Sequence, residues 1–508
     1  MDPSAVQLLP LAIVAGMFAL FIVSGLRTRS RQTSEYGFSG GYSSRLGNGA
    51  AIASNWMSAA SFMGLAGMFY LKGYYAMAFV VGWTGGYVLL LVLMASQIRR
   101  FGKYTAPDFV GFRYESEAAR TLVACISILI TVIYSVAQFR GMALLVSWLF
   151  GIAYIPAVVL AASIVVSLIV VSGSMGVARN QKLQYFVLIV TFILPLMLLT
   201  RKLGYFWILP QFGYGAAISD LQQQFGFGWS EPFSRVSLFH WLALCFTLMF
   251  GTAGLPHVLS RFYMVPGIRD ARWGVVWGLF FIALIYWSAP AYGVLGRLFE
   301  ARSGIPFSTD PANADMMILT AVSNAGLPLW VVGLLVAGGM SAAFSTVAGL
   351  MLNGSSSFSY DIYPRLINPA ASENDKVYAA KGFFLILALV VMALTFKPWG
   401  MIAEIAALAF ALAGNTLFPA FLLGIWWDRA NAAGVIAGML TGLLITFLPF
   451  VAGDALPVVT RLLPPTSSAF IGAPVVIIVM VCVSLLTTAP SESIRQFLAR
   501  DVHECTED

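Results

Sequence analysis

The chain contains few charged residues. Of its 508 residues, only 10% are Asp, Glu, Lys or Arg, and 59% are hydrophobic. Soluble globular domains carry roughly 25% charged residues, so a large water-soluble domain is excluded. The apolar runs are long and do not alternate with period two, which excludes a transmembrane β-barrel. The composition therefore predicts an all-α polytopic membrane protein.

Residue types that carry redox, metal or catalytic chemistry are also scarce, with four cysteines and three histidines. The cysteines show no metal-like or disulfide-like spacing. A P-loop, a dinucleotide-binding glycine motif and a zinc-binding HExxH motif are all absent. These absences argue against an enzyme. The net charge of +7 does not indicate nucleic-acid binding, because the basic residues are sorted by loop.

Hydropathy predicts about thirteen transmembrane helices. We place these spans near residues 5–26, 49–71, 75–97, 119–149, 154–174, 181–201, 238–257, 271–298, 326–359, 379–396, 399–427, 431–451 and 468–488. Basic residues concentrate in alternate loops, beginning with Arg27, Arg29 and Arg31. The positive-inside rule therefore places the N-terminus outside and the C-terminus in the cytoplasm, in a bacterial-type inner membrane.

The second and seventh spans are interrupted by small and polar residues, at Ala53–Gly67 and Phe250–Leu259. Broken helices at matching places in two halves of a chain point to a transporter binding site near the bilayer midplane. Because the two lie five spans apart with opposite orientation, we predict a five-plus-five inverted repeat, unwound near residues 55–59 and 251–254. The single transporter domain would comprise repeats at 49–201 and 238–427, peripheral spans at 5–26 and 431–488, and a cytoplasmic tail at 489–508.

A cation site is indicated in the ninth span, where Ala342, Ser345 and Thr346 share one helical face. Two hydroxyls and a carbonyl that face the carbonyls of a broken helix are the oxygen ligands that hard cations prefer. The alternative is that both hydroxyls simply bond back to the preceding turn of their own helix.

Three segments resemble the sodium/solute symporter family over nearly the whole chain: ASNWMSAASFMGLAG, AAFSTVAGLMLNGSSSFSYDIY and MFGTAGLPHVLSRF. The first and third most resemble the acetate permease branch. The resemblance implies a LeuT-like fold. It also implies a sodium site built from the carbonyls of Ser54, Met57 and Ala342 and the hydroxyls of Ser345 and Thr346. Many members carry an aspartate where this chain has Gln181, which leaves a proton as the alternative coupling ion.

Two ionisable residues lie within spans, Arg140 deep in the fourth and Glu404 near the outer end of the eleventh. Intramembrane charges are costly and mark functional sites, and a guanidinium binds a carboxylate bidentately. We expect Arg140 to bind a substrate carboxylate, with Glu404 as its partner in the empty carrier; a purely structural pair is the alternative. The other substrate-binding candidates are hydroxyls and helix-end amides at the two breaks: Ser58, Ser61, Gly251, Thr252 and Gly254.

Together these features predict a cation-coupled symporter, with Na+ as the coupling ion, that imports a small monocarboxylate such as acetate, propionate, lactate or pyruvate by alternating access. The expected partners are the solute, Na+ and the lipid bilayer, and not nucleic acid. Alternatives are a sodium symporter for proline, a sugar or another organic solute, and a membrane solute sensor that acts through a separate partner. The oligomeric state and the need for a small membrane subunit stay open.

Overall fold

The computed structural model describes residues 6–26, 44–101, 105–225, 231–233, 236–259, 268–306, 308–452 and 464–503. Within these ranges the chain forms helices and no β-strand, so the all-α prediction is confirmed. Helices dominate because a bilayer offers no water to the backbone, and a helix pairs its polar groups within one segment. The basic residues Arg27, Arg29 and Arg31, used in the topology prediction, and Cys505, at the tail, lie outside the described residues.

The first half of the chain contains nine helices among its described residues. They are α1 (Leu8–Leu26), α2 (Arg45–Trp56), α3 (Leu65–Lys72), α4 (Met77–Leu89), α5 (Ala95–Phe101), α6 (Ala106–Arg113), α7 (Glu117–Phe150), α8 (Tyr154–Lys202) and α9 (Pro210–Phe225). Short segments of other helix types join them: π-helix at Ala60–Gly64 and Leu90–Met94, and 3₁₀-helix at Gly73–Ala76.

The second half continues with eleven helices among its described residues. They are α10 (Leu238–Gly254), α11 (Pro256–Leu259), α12 (Ile268–Ser303), α13 (Pro311–Asp315), α14 (Met317–Asn324), α15 (Leu329–Ser356), α16 (Glu373–Thr395), α17 (Ile402–Trp426), α18 (Ala432–Ala452), α19 (Ala469–Leu486) and α20 (Glu492–Phe497). A long π-helix, Ser357–Ile367, extends α15, and a shorter one, Leu498–His503, follows α20.

Ten helices of the described part are long and apolar enough to cross a membrane, and two shorter apolar helices are Tyr154–Val170 and Leu238–Gly254. One of the ten, Ala60–Phe101, has 42 residues. At 1.5 Å per residue it is about 60 Å long, roughly twice the bilayer core, and it turns at Gly73, where φ is 54°. The length and composition of the described helices do not confirm thirteen spans, so that number stays a prediction.

Both predicted helix breaks exist, and the second lies slightly later than expected. Helix α2 ends at Trp56, and Met57 and Ser58 are not helical, so the first break falls inside the predicted range. Residues 251–254 stay helical, and the second break is at Leu255, which is extended. The cause is Pro256: a proline disfavours helical geometry in the residue before it.

The two halves pack on each other in a reciprocal pattern. The first helix of each predicted repeat packs against the second span of the other repeat, α2 against α12 and α10 against α4. Each also packs against the last span of its own repeat, α2 against α8 and α10 against α17. The third spans, α7 and α15, contact each other. This exchange of equivalent partners is expected from two repeats related by a pseudo-two-fold axis in the membrane plane.

Glycines allow α10 to lie close to its neighbours. A Cβ at Gly254 would lie 2.6 Å from the Ala413 carbonyl oxygen of α17, and one at Gly251 would overlap the Phe410 backbone. On the other side, a Cβ at Gly86 of α4 would overlap the Thr252 side chain. Small residues at such positions let membrane helices pack backbone to backbone.

We expect Gly86→Ala to destabilise the protein by about 1–3 kcal/mol, the usual cost of overpacking a filled interior. The matched control is Gly382→Ala in α16, where a Cβ meets no atom within 4 Å. That control should keep or slightly raise stability, because alanine favours helix. Thermal unfolding of the purified protein in detergent measures both. Equal effects of the two changes would contradict the tight α4–α10 contact.

Candidate cation and solute site

The interruption of α2 leaves its last carbonyls without donors from its own helix. Two hydroxyls of α15 take their place. The Ser345 Oγ lies 2.7 Å from the Ser54 carbonyl oxygen, and the Thr346 Oγ1 lies 2.9 Å from the Asn55 carbonyl oxygen. Both hydroxyl residues are fully buried. The break is therefore held to α15 by the two hydroxyls that the sequence singles out.

The Ser345 hydroxyl is shared between two carbonyls. Its oxygen also lies 2.9 Å from the Ala342 carbonyl oxygen. A hydroxyl carries one proton, so it can donate to only one of these carbonyls at a time. Three oxygens thus converge with a single proton among them. These oxygens belong to carbonyls and a hydroxyl, so they are neutral. The described residues contain no group of three or more His, Cys, Asp or Glu side chains that could hold a metal ion. An electron-rich cluster of neutral oxygens suits a small monovalent cation.

Four of the five predicted cation ligands meet in this cluster, namely Ser54, Ala342, Ser345 and Thr346. Met57 lies at the end of α2, where its N–H donates to the Ala53 carbonyl at 2.7 Å. In the described residues the α15 hydroxyls contact the Ser54 and Asn55 carbonyls, not the Met57 carbonyl. Coordination by Met57 therefore stays a prediction.

Gln181 approaches the same cluster from α8. Its Nε2 lies 3.3 Å from the Asn55 Oδ1 and 3.5 Å from the Ser345 carbonyl oxygen. The residue is fully buried. In the sequence, Gln181 is notable because many family members carry an aspartate there, but its position beside the oxygen cluster was not predicted. A neutral amide donor thus stands beside the oxygen cluster.

Beyond the break, polar groups from three helices meet in an aromatic setting. The Ala59 N–H donates to the Gln138 Oε1 at 2.9 Å. The Tyr286 hydroxyl accepts from the Trp56 Nε1 at 2.8 Å and lies 3.0 Å from the Ser61 Oγ. Rings with centroids 4.8–5.8 Å apart surround these groups and form what we call the aromatic cluster: Trp56, Trp83, Tyr87, Tyr134, Tyr286 and Phe410.

Gln138 and Tyr286 were not predicted from the sequence as site residues. The polar side chain of Gln138 in an apolar span was a usable signal, since buried polar groups in membranes need partners. Tyr286 gave no such signal, because tyrosines are common in membrane helices. Ser61 was predicted as a solute ligand, and the structure brings it to the Tyr286 hydroxyl. Ser58, also predicted, lies in the break itself and is fully buried.

Arg140 pairs with Asp315, so the prediction that Glu404 is its partner is wrong. The Arg140 Nη2 lies 2.8 Å and its Nε 2.9 Å from the Asp315 Oδ2. The two side chains are 7% and 0% exposed. Glu404 instead pairs with Lys72 at 2.6 Å. Its other oxygen accepts from the Met401 N–H at 3.2 Å, the usual role of an acid in the first turn of a helix. This local cap and Lys72 hold Glu404 away from Arg140.

The Arg140–Asp315 pair lies next to the helix break. A Cβ on Gly141 would lie 2.5 Å from the Ala59 Cβ and 3.5 Å from Ile402. Asp315 itself accepts from the Ile402 N–H at 3.2 Å, at the start of α17. Burial raises the pKa of Asp315 to about 7, although Arg140 acts against this shift. Near neutral pH this carboxyl can therefore gain or lose a proton.

Three other predicted solute ligands make helix-packing contacts. Gly251 and Gly254 lie against the backbone of α17, and Thr252 lies against Gly86. The Thr252 Oγ1 donates to the Leu248 carbonyl of its own helix at 2.7 Å. Their part in solute binding stays a prediction.

Comparison with known proteins gives one family. The family model described as "Sodium:solute symporter family" matches residues 36–442. The uncharacterized symporter H16_A2524 of Cupriavidus necator is 28% identical, with 92% of this chain and 90% of the relative aligned. The uncharacterized symporter YwcA of Bacillus subtilis is 29% identical, with 92% and 91% aligned.

Solved structures share the fold. A Na+-coupled sialic acid symporter in its substrate-bound outward-open state matches with a TM-score of 0.77 at 16% identity, over 95% of this chain and 99% of that one. Mhp1, a nucleobase-cation-symport-1 family transporter in a closed conformation, matches with a TM-score of 0.54 at 12% identity, over 93% and 99%. The LeuT-like fold class is thereby confirmed.

We expect Tyr286→Phe to destabilise the protein by about 1–3 kcal/mol, because it leaves the buried Trp56 Nε1 without its acceptor. The control is Tyr378→Phe, at an exposed tyrosine of α16, which should change stability by less than about 0.5 kcal/mol. Thermal unfolding in detergent compares them. Equal stability of the two variants would contradict the Trp56–Tyr286–Ser61 network.

Proposed function

The chain belongs to the sodium:solute symporter family, and we propose that it is a Na+-coupled symporter that imports a small monocarboxylate by alternating access. The observation that carries this proposal is the convergence of the Ser345 and Thr346 hydroxyls on the carbonyls of the broken helix. The protein would work in the inner membrane with its N-terminus outside. It would transport solute and would not catalyse a covalent reaction.

Na+ would bind among the Ser54 and Ala342 carbonyls and the Ser345 and Thr346 hydroxyls. The ion would replace hydrogen bonds in which one proton serves several oxygens. It would also fix the end of α2 against α15. Since Ser58 and Ser61 directly follow this point in the chain, cation binding would position the solute-binding side of the break, and this is the proposed basis of coupling.

Arg140 would bind the solute carboxylate. In the absence of solute, Asp315 neutralises the buried guanidinium. A monocarboxylate brings the same charge and the same two oxygens. It can therefore replace Asp315 on the guanidinium when Asp315 takes up a proton, so that no buried charge is left unpaired. Ser61 and Tyr286 would lie on the solute side of the break. The Lys72–Glu404 pair, whose side chains are 39% and 33% exposed, would stand nearer the predicted outer entrance.

We predict that Ser345→Ala and Thr346→Ala each raise the Na+ concentration needed for half-maximal uptake into proteoliposomes. Each removes one neutral ligand, which costs about 1–3 kcal/mol, or roughly a five- to 150-fold change in affinity. Ser163→Ala is the control, because Ser163 is exposed on α8 and bonds only to its own helix, at the Val159 carbonyl. The solute panel is acetate, propionate, lactate and pyruvate, with proline and glucose as competing classes.

Two results would overturn this function. Uptake that persists unchanged when choline replaces Na+, at a constant proton gradient, would assign the coupling to another ion. Na+-driven uptake of proline or glucose but of none of the four acids would support a sodium symporter and refute the assignment of a monocarboxylate as its solute.

We predict that Arg140→Lys lowers uptake tenfold or more and that Arg140→Gln nearly abolishes it. The lysine keeps the charge but loses the bidentate fork, and hydrogen bonds to charged groups contribute about 1.5–3 kcal/mol. Na+ should still stabilise purified Arg140→Gln against heat, because Arg140 is not part of the oxygen cluster. Normal uptake by Arg140→Gln would make the arginine purely structural.

Uptake should rise as the pH falls from 8 to 6, with equal pH on both sides of the membrane. The pKa of Asp315 is raised to about 7, so acid protonates this carboxyl and frees Arg140 for the solute. Asp315→Asn should remove this pH dependence, whereas Glu404→Gln, at the neighbouring ion pair, should retain it. A pH profile that is identical in wild type and Asp315→Asn would contradict the exchange of carboxylates on Arg140.

A further inference from the structure

A row of polar side chains follows one face of α7. Ser127, Thr131 and Ser135 are spaced by four residues, and Gln138 follows three residues later, so they share a helical face. All four are buried, with at most 1% exposure. The row, which we call the α7 polar row, begins at the helix break, where Gln138 accepts from Ala59. It runs toward the N-terminal end of α7, which is predicted to be cytoplasmic.

The α7 polar row is poorly satisfied. The Ser127 Oγ, the Ser135 Oγ and the Gln138 Nε2 have no hydrogen-bond partner among the described residues. The Thr131 Oγ1 donates to the Leu350 carbonyl of α15 at 3.3 Å. A buried polar group without a hydrogen-bond partner destabilises the structure that contains it. Three such atoms on one face require an explanation. The explanation we adopt is that this face of α7 contacts water and ions in another conformation of the transporter.

The part of α15 that contacts the α7 polar row is followed in the chain by a buried carboxylate, Asp361. A Cβ on Gly354 would lie 2.9 Å from the Thr131 Cγ2, so the two helices touch closely there. Directly after α15 the chain becomes the π-helix Ser357–Ile367, a helix type found often at functional sites. This π-helix packs against α7 and buries Ser357, Ser359 and Asp361.

Asp361 carries negative charge that its partner only partly balances. Its Oδ1 lies 2.9 Å from the Arg120 Nε, and its side chain is 1% exposed. Arg120 also pairs with Asp108, so one guanidinium serves two carboxylates. The Asp361 Oδ2 has no partner among the described residues. The nearby Arg365 pairs with Glu117. One negative charge is thus left over in this cluster of five side chains.

We propose that Asp361 is a second, transient cation-binding site, where the transported cation pauses on its way from the oxygen cluster along the α7 polar row. The cation would take the free Oδ2, while Asp108 keeps Arg120 neutralised. Hydroxyls at Ser127, Thr131 and Ser135 would replace part of its hydration shell on the way. This inference rests on the proposed function insofar as a cation is transported.

The first test compares net uptake with exchange in proteoliposomes. Net uptake driven by a Na+ gradient requires release of the cation inside, whereas solute exchange at equal Na+ on both sides does not. Asp361→Asn should lower net uptake tenfold or more and keep exchange within about twofold of wild type. The control is Glu373→Gln, which changes an exposed acid that pairs with Lys376. Glu373 begins α16, which packs against the π-helix, and this change should leave both rates unchanged. Net uptake equal to wild type in Asp361→Asn would overturn the site.

The second test remains valid if Asp361→Asn folds poorly. In a variant without the four native cysteines, Ser127→Cys and Ser135→Cys should react with the cationic reagent methanethiosulfonate-ethylammonium in Na+-free buffer. Saturating Na+ should slow the reaction at least tenfold. The control is Ser163→Cys. Ser163 is exposed on α8 within the predicted span 154–174, so a cysteine there should face lipid rather than water and should not react. Reactivity as low as that of Ser163→Cys in both buffers would refute the route.

The two proposals can fail separately. Na+-independent uptake by the wild type would refute the coupling ion of the proposed function. Na+-dependent uptake together with an equal loss of exchange and net uptake in Asp361→Asn would refute only the transient site.

Discussion

The structure depends on one constraint: a helix that stops inside a membrane must find donors for its last carbonyls. Helix α2 stops at Trp56, and the donors come from the Ser345 and Thr346 hydroxyls of α15. This contact joins one repeat to the other at the level of the break. Its donors are too few for its acceptors, since the Ser345 hydroxyl also faces the Ala342 carbonyl. The same shortage that makes the contact weak as a hydrogen-bond network makes it attractive to a cation.

Helix α7 connects this centre to both predicted sides of the membrane. Toward the predicted outside, Arg140 is held by Asp315, which also receives the first N–H of α17. Toward the predicted cytoplasm, Arg120 is held by Asp108 and Asp361. Both arginines are largely buried, and each is tied to one carboxylate from the other half of the chain, Asp315 or Asp361. A transporter that alternates between two openings needs contacts that can be exchanged at each end, and a carboxylate can be exchanged for a solute anion or shared with a cation.

Features with a local cause could be predicted from the sequence. The first break follows from a cluster of Ser and Ala in an apolar span, and the cation-site hydroxyls follow from helical spacing. The second break could have been predicted at Leu255, because Pro256 disfavours helical geometry in the residue before it. The partner of Arg140 could not be found this way. Asp315 belongs to a short helix between spans, and only the folded chain brings it to Arg140, whereas the choice of Glu404 assumed that two charges within spans must pair. The roles of Asn55 and Tyr286 could not be predicted either, because their contacts at the site form only through tertiary packing.

Equilibrium binding of ²²Na+ to the purified protein, without organic solute, tests the central claim most directly. The wild type and Ser163→Ala should show saturable binding that unlabelled NaCl competes and choline chloride does not. The double variant Ser345→Ala/Thr346→Ala should bind at least tenfold more weakly while remaining folded. Equal ²²Na+ affinity in the wild type and the double variant would contradict the assignment of the cation to the broken helix and α15.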